Sequence, residues 1–436
     1  MRGDARPPSR AWPVSRSPLR VAVLGAGTVG RAVLDGLTHH PERLATDDGR
    51  QITLTAVAVR DLGKARGNGF PADLLTDAPA HLIADADTDV IVELMGGIEP
   101  ARTLITAALG AGKPVVTANK AVIAHHGPEL ESAARRTGAA FRFEAAVAGG
   151  VPVLGPLAAD LAGNEIVRVR GIVNGTTNYI LTAMAEDGRP YDEVLADAQE
   201  LGYAEADPAG DVEGDDAVNK LVILARLAFG RWLDPSTVGR RPPTARGMGR
   251  PGITGVTDQE LEGAAALGLT IKLLATATRR DDAIEASVIP TAVPADSPFG
   301  WTDGVTNRIE VEALPLGTVG LAGPGAGGAA TSSAVLGDLV AVARGQGSTW
   351  AGLPPATDAA VPAVDPLDGP RRWFAFVGAV RSNDGDLPPA IGRAASVDFD
   401  DGTAIRTDVV TLADAQAAFD NVLPDGADVT LYPVDD

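Results

Sequence analysis

A six-residue apolar run, Leu19–Leu24, ends in Gly25-Ala26-Gly27-Thr28-Val29-Gly30, and a helical pattern follows over 31–40. G-x-G-x-x-G between a strand and a helix constrains this chain more than any other feature. The first glycine permits a tight turn, the second lets backbone approach a pyrophosphate, and the third lets helix close on strand. Apolar runs at 52–61 and 87–97 and a strand at 114–120 continue the pattern, with helical segments between them. Near-continuously apolar strands alternating with helices predict a parallel sheet covered on both faces.

The fold class expected is α/β: a Rossmann-type nucleotide-binding domain over 19–150, with an α+β domain and a small C-terminal α+β unit after it. Gly25, Ala26, Gly27, Thr28, Val29 and Gly30 would hold a dinucleotide. The second strand ends in Val59-Arg60-Asp61. An acidic residue at that strand end binds ribose hydroxyls, whereas an arginine accommodates a 2′-phosphate. Arg60 therefore favours NADP, and NAD stays open.

Composition removes several classes. There are 37 Lys and Arg against 57 Asp and Glu, a formal charge of −20, which argues against nucleic acid and anionic membrane as partners. Cysteine is absent, which excludes disulfides, thiolate metal sites and a cysteine nucleophile. No run approaches the ~18 apolar residues of a membrane span. Residues 1–18 are rich in Arg and Pro with no apolar stretch behind them, so they read as a disordered tail or over-long start and not a signal peptide. A soluble, cytoplasmic protein is expected.

Residues 151–320 read as a mixed sheet with helices on one side. Residues 321–344 read as a glycine-rich turn and helix, 345–371 as a linker, and 372–436 as a β-α-β-β-α-β unit whose first helix lies near Leu387–Gly392. The basic side chains are nearly all Arg; the lysines are Lys64, Lys113, Lys120, Lys220 and Lys272. A retained lysine can lose its proton when buried, which arginine effectively cannot do. Lys120 follows the strand Pro114-Val115-Val116-Thr117, at the strand end where ligands bind in such sheets. The acidic segment from Glu205 through Asp211 to Asp216 leads into an apolar helix carrying Lys220. Asp216 and Lys220 are four apart and share a helix face. This stretch fits a carboxylate-decorated helix start. It also fits a carboxylate cage for an α-ammonium group beside a buried acid–base lysine.

Nine segments in order resemble the homoserine dehydrogenase family over about residues 19–344. They include GAGTVG (25–30), ELMGG (93–97), AGKPVVTANK (111–120), EAAVAGGVPV (144–153), GIVNGTTNYIL (171–181), LGYAEADPAGDVEGDDAVNK (201–220) and GPGAGGAATSSAVLGDL (323–339). The resemblance implies NAD(P)-dependent interconversion of L-homoserine and L-aspartate 4-semialdehyde, in threonine, methionine and isoleucine biosynthesis. It implies Lys220 as the acid–base group with Asp216 as its partner, and Lys120 as the lysine near nicotinamide and substrate. Glu205 and Asp211 would hold the substrate amino group, and Gly175 and Thr176 would also contact substrate. Arg60, Met95, Gly96, Thr117, Asn119, Lys120, Gly325 and Gly327 would meet the cofactor. A monovalent cation, sodium in kind, would sit at Glu144, Val147, Gly149 and Val151, mostly on backbone carbonyls. A homodimer or homotetramer is implied. The tail resembles an ACT regulatory domain but lacks the usual Asp-x-Pro-Gly turn. Two other readings stay open: an oxidoreductase of the same architecture on another amino or hydroxy acid, and a non-catalytic NADP-binding sensor.

Overall fold

The computed structural model describes residues 17–44, 46, 50–67, 70–350, 352–356, 359–378, 393–421, 423 and 427–435. The chain divides into two compact units. One comprises residues 1–119, 130–145 and 327–349; the other comprises 120–129, 146–326 and 350–436.

The first unit is built on six parallel strands: β1 Leu19–Leu24, β2 Ile52–Ala58, β3 Leu75–Thr76, β4 Val90–Glu93, β5 Val115–Thr117 and β6 Phe141–Arg142. Their order is β3-β2-β1-β4-β5-β6, so the order reverses beside β1, where such sheets open a ligand crevice. The central strands are apolar on both faces because both are buried: Val21, Val23, Val90 and Val92 pack on one face with Val33 of helix Thr28–His39 and Val335 and Leu339 of helix Gly328–Ala343, and Ala22 and Ile91, pointing to the other face, are fully buried as well. The second helix returns from much later in the chain and is anchored by Asp338. That carboxylate, 2% exposed, accepts from the Arg142 guanidinium and the Glu144 N–H, both at 2.8 Å.

The second unit contains β7 Glu165–Ile172, the small hairpin β8 Pro243–Thr244 and β9 Gly247–Met248, and the long strands β10 Leu269–Arg280, β11 Ala283–Pro294, β12 Thr306–Leu314 and β13 Gly317–Pro324. The large sheet runs β11-β10-β7-β12-β13, and every pairing is antiparallel. The expected mixed sheet is thus corrected. Short reversals at Asp281–Asp282 and Pro315–Leu316 join neighbours directly, and antiparallel strands need only such turns. The hairpin β12–β13 was not foreseen. Arg308, Glu310 and Glu312 alternate along β12, and glycines 317, 320 and 323 interrupt β13, so neither strand looks apolar. The charges on β12 are paired across the sheet, Arg168 with Glu312 and Arg170 with Glu310, both at 3.1 Å.

The tail forms a four-stranded sheet of β14 Trp373–Gly378, β15 Arg393–Asp398, β16 Gly402–Thr407 and β17 Tyr432–Pro433, ordered β15-β16-β14-β17, with helix Leu412–Asp420 on one face. Helix Asp258–Ala266 covers the other face, where a Cβ on Gly263 would lie 2.8 Å from the Phe376 ring. The first tail helix, expected near Leu387–Gly392, lies outside the described residues, as do residues 1–16. The segment before the tail is pinned along its length: Val361 bridges to Leu233, Val364 bridges to Glu285, and Leu367 enters the tail core. Among the described residues no helix is long and apolar enough to cross a membrane.

Candidate active site

In the first unit a pocket of about 460 Å³ opens at the carboxyl ends of β1, β2 and β4, lined by Gly25, Gly27, Arg60, Lys64, Met95 and Gly96 among others. The glycines of the fingerprint serve different ends. Gly25 has φ 105°, and a Cβ there would lie 2.6 Å from the Leu94 carbonyl oxygen. A Cβ on Gly30 would lie 2.2 Å from the Gly25 oxygen, so both are demanded by the fold itself. A Cβ on Gly27 meets nothing within 4 Å, and helix Thr28–His39 starts there with no side-chain cap. Its open amide groups suit an anion. Ala26 and Val29 pack on the core behind. Arg60 and Lys64 flank the pocket at the end of β2 and one turn further on.

A buried carboxylate shapes the far wall. Glu93 accepts the Met95 N–H at 2.8 Å and the Thr117 hydroxyl at 2.6 Å, with burial pushing its carboxyl up. The Asn119 N–H donates to the Thr117 oxygen, and the Asn119 amide donates to the Gly97 carbonyl at 2.7 Å. Met95, Gly96, Thr117 and Asn119 are thereby joined in one network through Glu93.

In the second unit, helix Asp215–Phe229 presents Asp216 and Lys220 on one face, as their spacing predicts, and Lys120 comes from the start of helix Lys120–Thr137. One Asp216 oxygen meets Lys120 Nζ at 2.8 Å and the other meets Lys220 Nζ at 2.7 Å. Lys220 also donates to the Val173 carbonyl at 2.6 Å. Asp216 and Lys220 are buried, whereas 41% of the Lys120 side chain is exposed. Burial alone would raise the Asp216 carboxyl, but the two ammonium groups hold it far below the usual carboxylate range. Burial pushes Lys220 down, against the pull of Asp216. The charge of Asp216 pushes Lys120 up, with Asp211 and Glu205 adding to it.

Asp211 lies alongside, half-buried, and its carboxyl is raised by burial and then by the charge of Asp216. Gly175 opens helix Gly175–Asp187, close under the Val305 carbonyl; Thr176 donates to the Tyr203 carbonyl at 2.7 Å and approaches Asp211 at 3.4 Å. Glu205 is exposed on the loop between them. Lys120, Lys220, Asp216, Asp211, Gly175 and Thr176 therefore converge, with Glu205 bearing on Lys120 through its charge.

A model of the homoserine dehydrogenase family matches residues 152–340, and one of its NAD-binding domain matches 25–144. The chain is 46% identical over 337 residues to the homoserine dehydrogenase of Mycobacterium tuberculosis, covering 76% of this chain and 74% of that one. The chain belongs to the homoserine dehydrogenase family. The Corynebacterium glutamicum homoserine dehydrogenase is 44% identical over 351 residues, 78% of this chain and 76% of its own. Among solved structures, a homoserine dehydrogenase from Thiobacillus denitrificans matches with TM-score 0.84 at 33% identity over 97% of this chain and 99% of its own. A hyperthermophilic archaeal homoserine dehydrogenase in complex with NADPH matches with TM-score 0.62 at 26% identity, over 75% of this chain and 98% of its own. The chain is an oxidoreductase of this family with a nucleotide-binding domain, and neither the sensor nor the alternative-substrate reading is favoured.

The remaining family positions are placed as follows. Val147, Gly149 and Val151 lie in one buried loop of the second unit, where Ala148 has φ 48° and accepts the Val151 N–H at 2.6 Å. Glu144 belongs to the first unit. Gly327 caps helix Gly328–Ala343 at φ 102°. Gly325 belongs to the second unit, with the buried Asn307 amide directly over it: a Cβ on Gly325 would lie 1.7 Å from the Asn307 oxygen. Gly325→Ala should therefore destabilise the protein by about 1–3 kcal/mol through overpacking. Urea unfolding would check this, and a wild-type midpoint would show that the Asn307 amide swings aside at little cost.

Three residues of these clusters escaped the sequence reading. Lys64 was hidden in a polar stretch, although it stands four residues after Arg60. Glu93 read as one more residue of an apolar strand. Asn174 precedes Gly175 as a good helix cap, and only the fold shows what the rest of its side chain does.

Proposed function

We propose that the chain interconverts L-homoserine and L-aspartate 4-semialdehyde with NADP, through Lys220, Asp216 and Lys120. The observation that carries this reading is the single buried carboxylate of Asp216 held between two lysines, one buried and one reachable, with Asp211 beside them. Bound NADP+ would supply the hydride acceptor for alcohol oxidation, and bound NADPH the hydride for the reverse reaction. Everything else falls to the chain. Asp211 and Glu205 attract the substrate α-ammonium, and Gly175 and Thr176 border it. The partly exposed Lys120 stays charged beside Asp216 and polarises the substrate oxygen. Lys220, pushed down by burial, can exist neutral and takes the hydroxyl proton in oxidation or returns it in reduction. With Lys220 neutral, Lys120 and Asp216 leave the buried cluster without net charge, the state that burial favours.

The cofactor fits the first unit: the open face of Gly27 and uncapped amides suit a pyrophosphate, Met95 and Gly96 line the pocket with Glu93, Thr117 and Asn119 hydrogen-bonded behind them, and Arg60 with Lys64 suits a 2′-phosphate. Gly327, at the start of helix Gly328–Ala343 in the same unit, would border it as well. A sodium-like cation fits the donor chemistry at Val147, Gly149 and Val151, since buried backbone carbonyls are hard oxygen ligands. There the ion would order the loop and carry no chemical step. A dissociable nicotinamide cofactor supports a cytoplasmic setting, and a homodimer or homotetramer is the assembly to test by light scattering. An ACT-like role for the tail is supported by its strand order.

The test is turnover of purified protein with L-homoserine, followed by reduced-nicotinamide absorbance with NADP and with NAD. Turnover with NADP is expected; bound NADPH without turnover would sink the substrate assignment. Arg60→Ala should raise KM for NADP by about 10- to 100-fold, as for loss of a hydrogen bond to a charged group, and leave KM for NAD nearly unchanged. Equal effects on both cofactors would remove the 2′-phosphate role.

A further inference from the structure

Asn174 is 5% exposed, and every polar atom of its side chain is engaged. Its oxygen accepts the Thr177 N–H at 2.8 Å and caps helix Gly175–Asp187. That contact fixes which end of the amide is which: the nitrogen must face the other way. It donates one hydrogen to Asp211 at 2.7 Å and the other to Asp216 at 2.8 Å. Asn174 is therefore a neutral bridge between the carboxylate proposed for the substrate ammonium and the carboxylate that holds both lysines. Two carboxylates this close repel, and an NH2 group between them is the arrangement that lets both stay ionised.

We infer that Asn174 is a positioning residue that couples occupancy of the Asp211 ammonium site to the proton on the lysine pair. The inference rests on the active-site reading above. With the site empty, Asp211 and Asp216 together balance two charged lysines. A substrate ammonium on Asp211 neutralises that carboxylate and leaves Lys120, Lys220 and Asp216 with an excess positive charge. Lys220 then gives up its proton more readily, so the base is made where substrate has bound. The charged groups facing the cluster are Asp211, Asp216 and Lys220 from the two helices Ala209–Val212 and Asp215–Phe229, Lys120 from helix Lys120–Thr137, and Glu205 from the preceding loop. Among the described residues, Asn174 is the one hydrogen-bonded to both carboxylates.

Asn174→Asp separates this role from a structural one, because Asp caps a helix as well as Asn does but cannot donate when ionised. The variant should keep the helix cap and bind NADPH normally but melt below the wild type, because its second oxygen faces Asp211 and Asp216. Its kcat/KM for homoserine should fall about 10- to 100-fold, and the limb on which activity rises with pH should move to higher pH, since a further carboxylate stabilises the lysine ammoniums. Asn174→Ala should lose activity too, with a lower melting temperature. An unmoved pH limb in Asn174→Asp, at any activity, would overturn the coupling and leave Asn174 a cap. Lys220→Ala in parallel tests the reading beneath: full turnover there would remove the lysine assignment, and the coupling with it, whatever Asn174→Asp does.

Discussion

Lys220→Ala is expected to lower kcat for homoserine oxidation by about 10²- to 10⁴-fold, the usual contribution of a positioned general base. Cofactor affinity should change little, because Lys220 is not among the residues that line the fingerprint pocket. Oxidation needs the neutral amine. Activity must therefore rise with pH, and the rise should lie below the ordinary lysine value of about 10.4, because burial disfavours the ammonium. Reduction needs the ammonium, so its rate falls over the same interval. Lys220→Arg should not rescue either direction, because a guanidinium keeps its proton. Steady-state pH profiles in both directions, with NADPH fluorescence titration, give the answer. Parallel loss of cofactor binding and turnover would make Lys220 a structural residue.

The parts of this molecule that were legible from sequence are those governed by short-range periodicity. The fingerprint reads directly because three glycines and a strand–helix junction sit within a dozen residues, and two of those glycines turn out to be required by contacts no larger side chain would permit. The Asp216–Lys220 pair reads from its i,i+4 spacing alone, and the structure returns it as a 2.7 Å contact. Residues meeting across long stretches of chain do not announce themselves. Nothing in the spacing of Lys120 shows that it will share an oxygen pair with Asp216; only family resemblance brought the two together. Asn174 was passed over, although it stands directly before Gly175 where a cap residue belongs, and its bridging role has no local signal because it depends on two carboxylates arriving from two other helices.

The fold followed the same division. Strands covered on both faces were found because continuous Val, Ile and Leu leave no other reading. The β12–β13 hairpin was lost because its charges are satisfied by partners on β7 and its glycines suppress the strand signal. The mixed sheet was an error of connection: strand signals locate strands, but parallel or antiparallel pairing is decided by how the chain returns.

Asp216→Asn should carry the largest cost to stability of any single change in this site. Asp216 is the only carboxylate bonded to Lys120 and Lys220 among the described residues, and it is 8% exposed. An amide in its place leaves two ammonium groups facing each other with no charge between them. Breaking a buried ion pair from one side typically costs about 3–5 kcal/mol. The lower end applies here, because the partly exposed Lys120 can turn toward water. The pH dependence carries the signature. In the variant, Lys220 remains buried without its counter-charge, so its folded pKa falls further below the unfolded value. The unfolded chain then binds more protons, and stability must rise with pH between the folded value and about 10.4. The wild-type Asp216, depressed by its lysines, acts in the opposite range: its contribution is complete above the usual carboxylate pKa and is lost as pH falls through the folded value. Urea unfolding of both proteins across pH should therefore give two curves that converge toward alkaline pH and also toward strong acid, where Asp216 itself is protonated. A constant gap at every pH would mean that the lost stability came from packing, and that the charge pairing at this site contributes little.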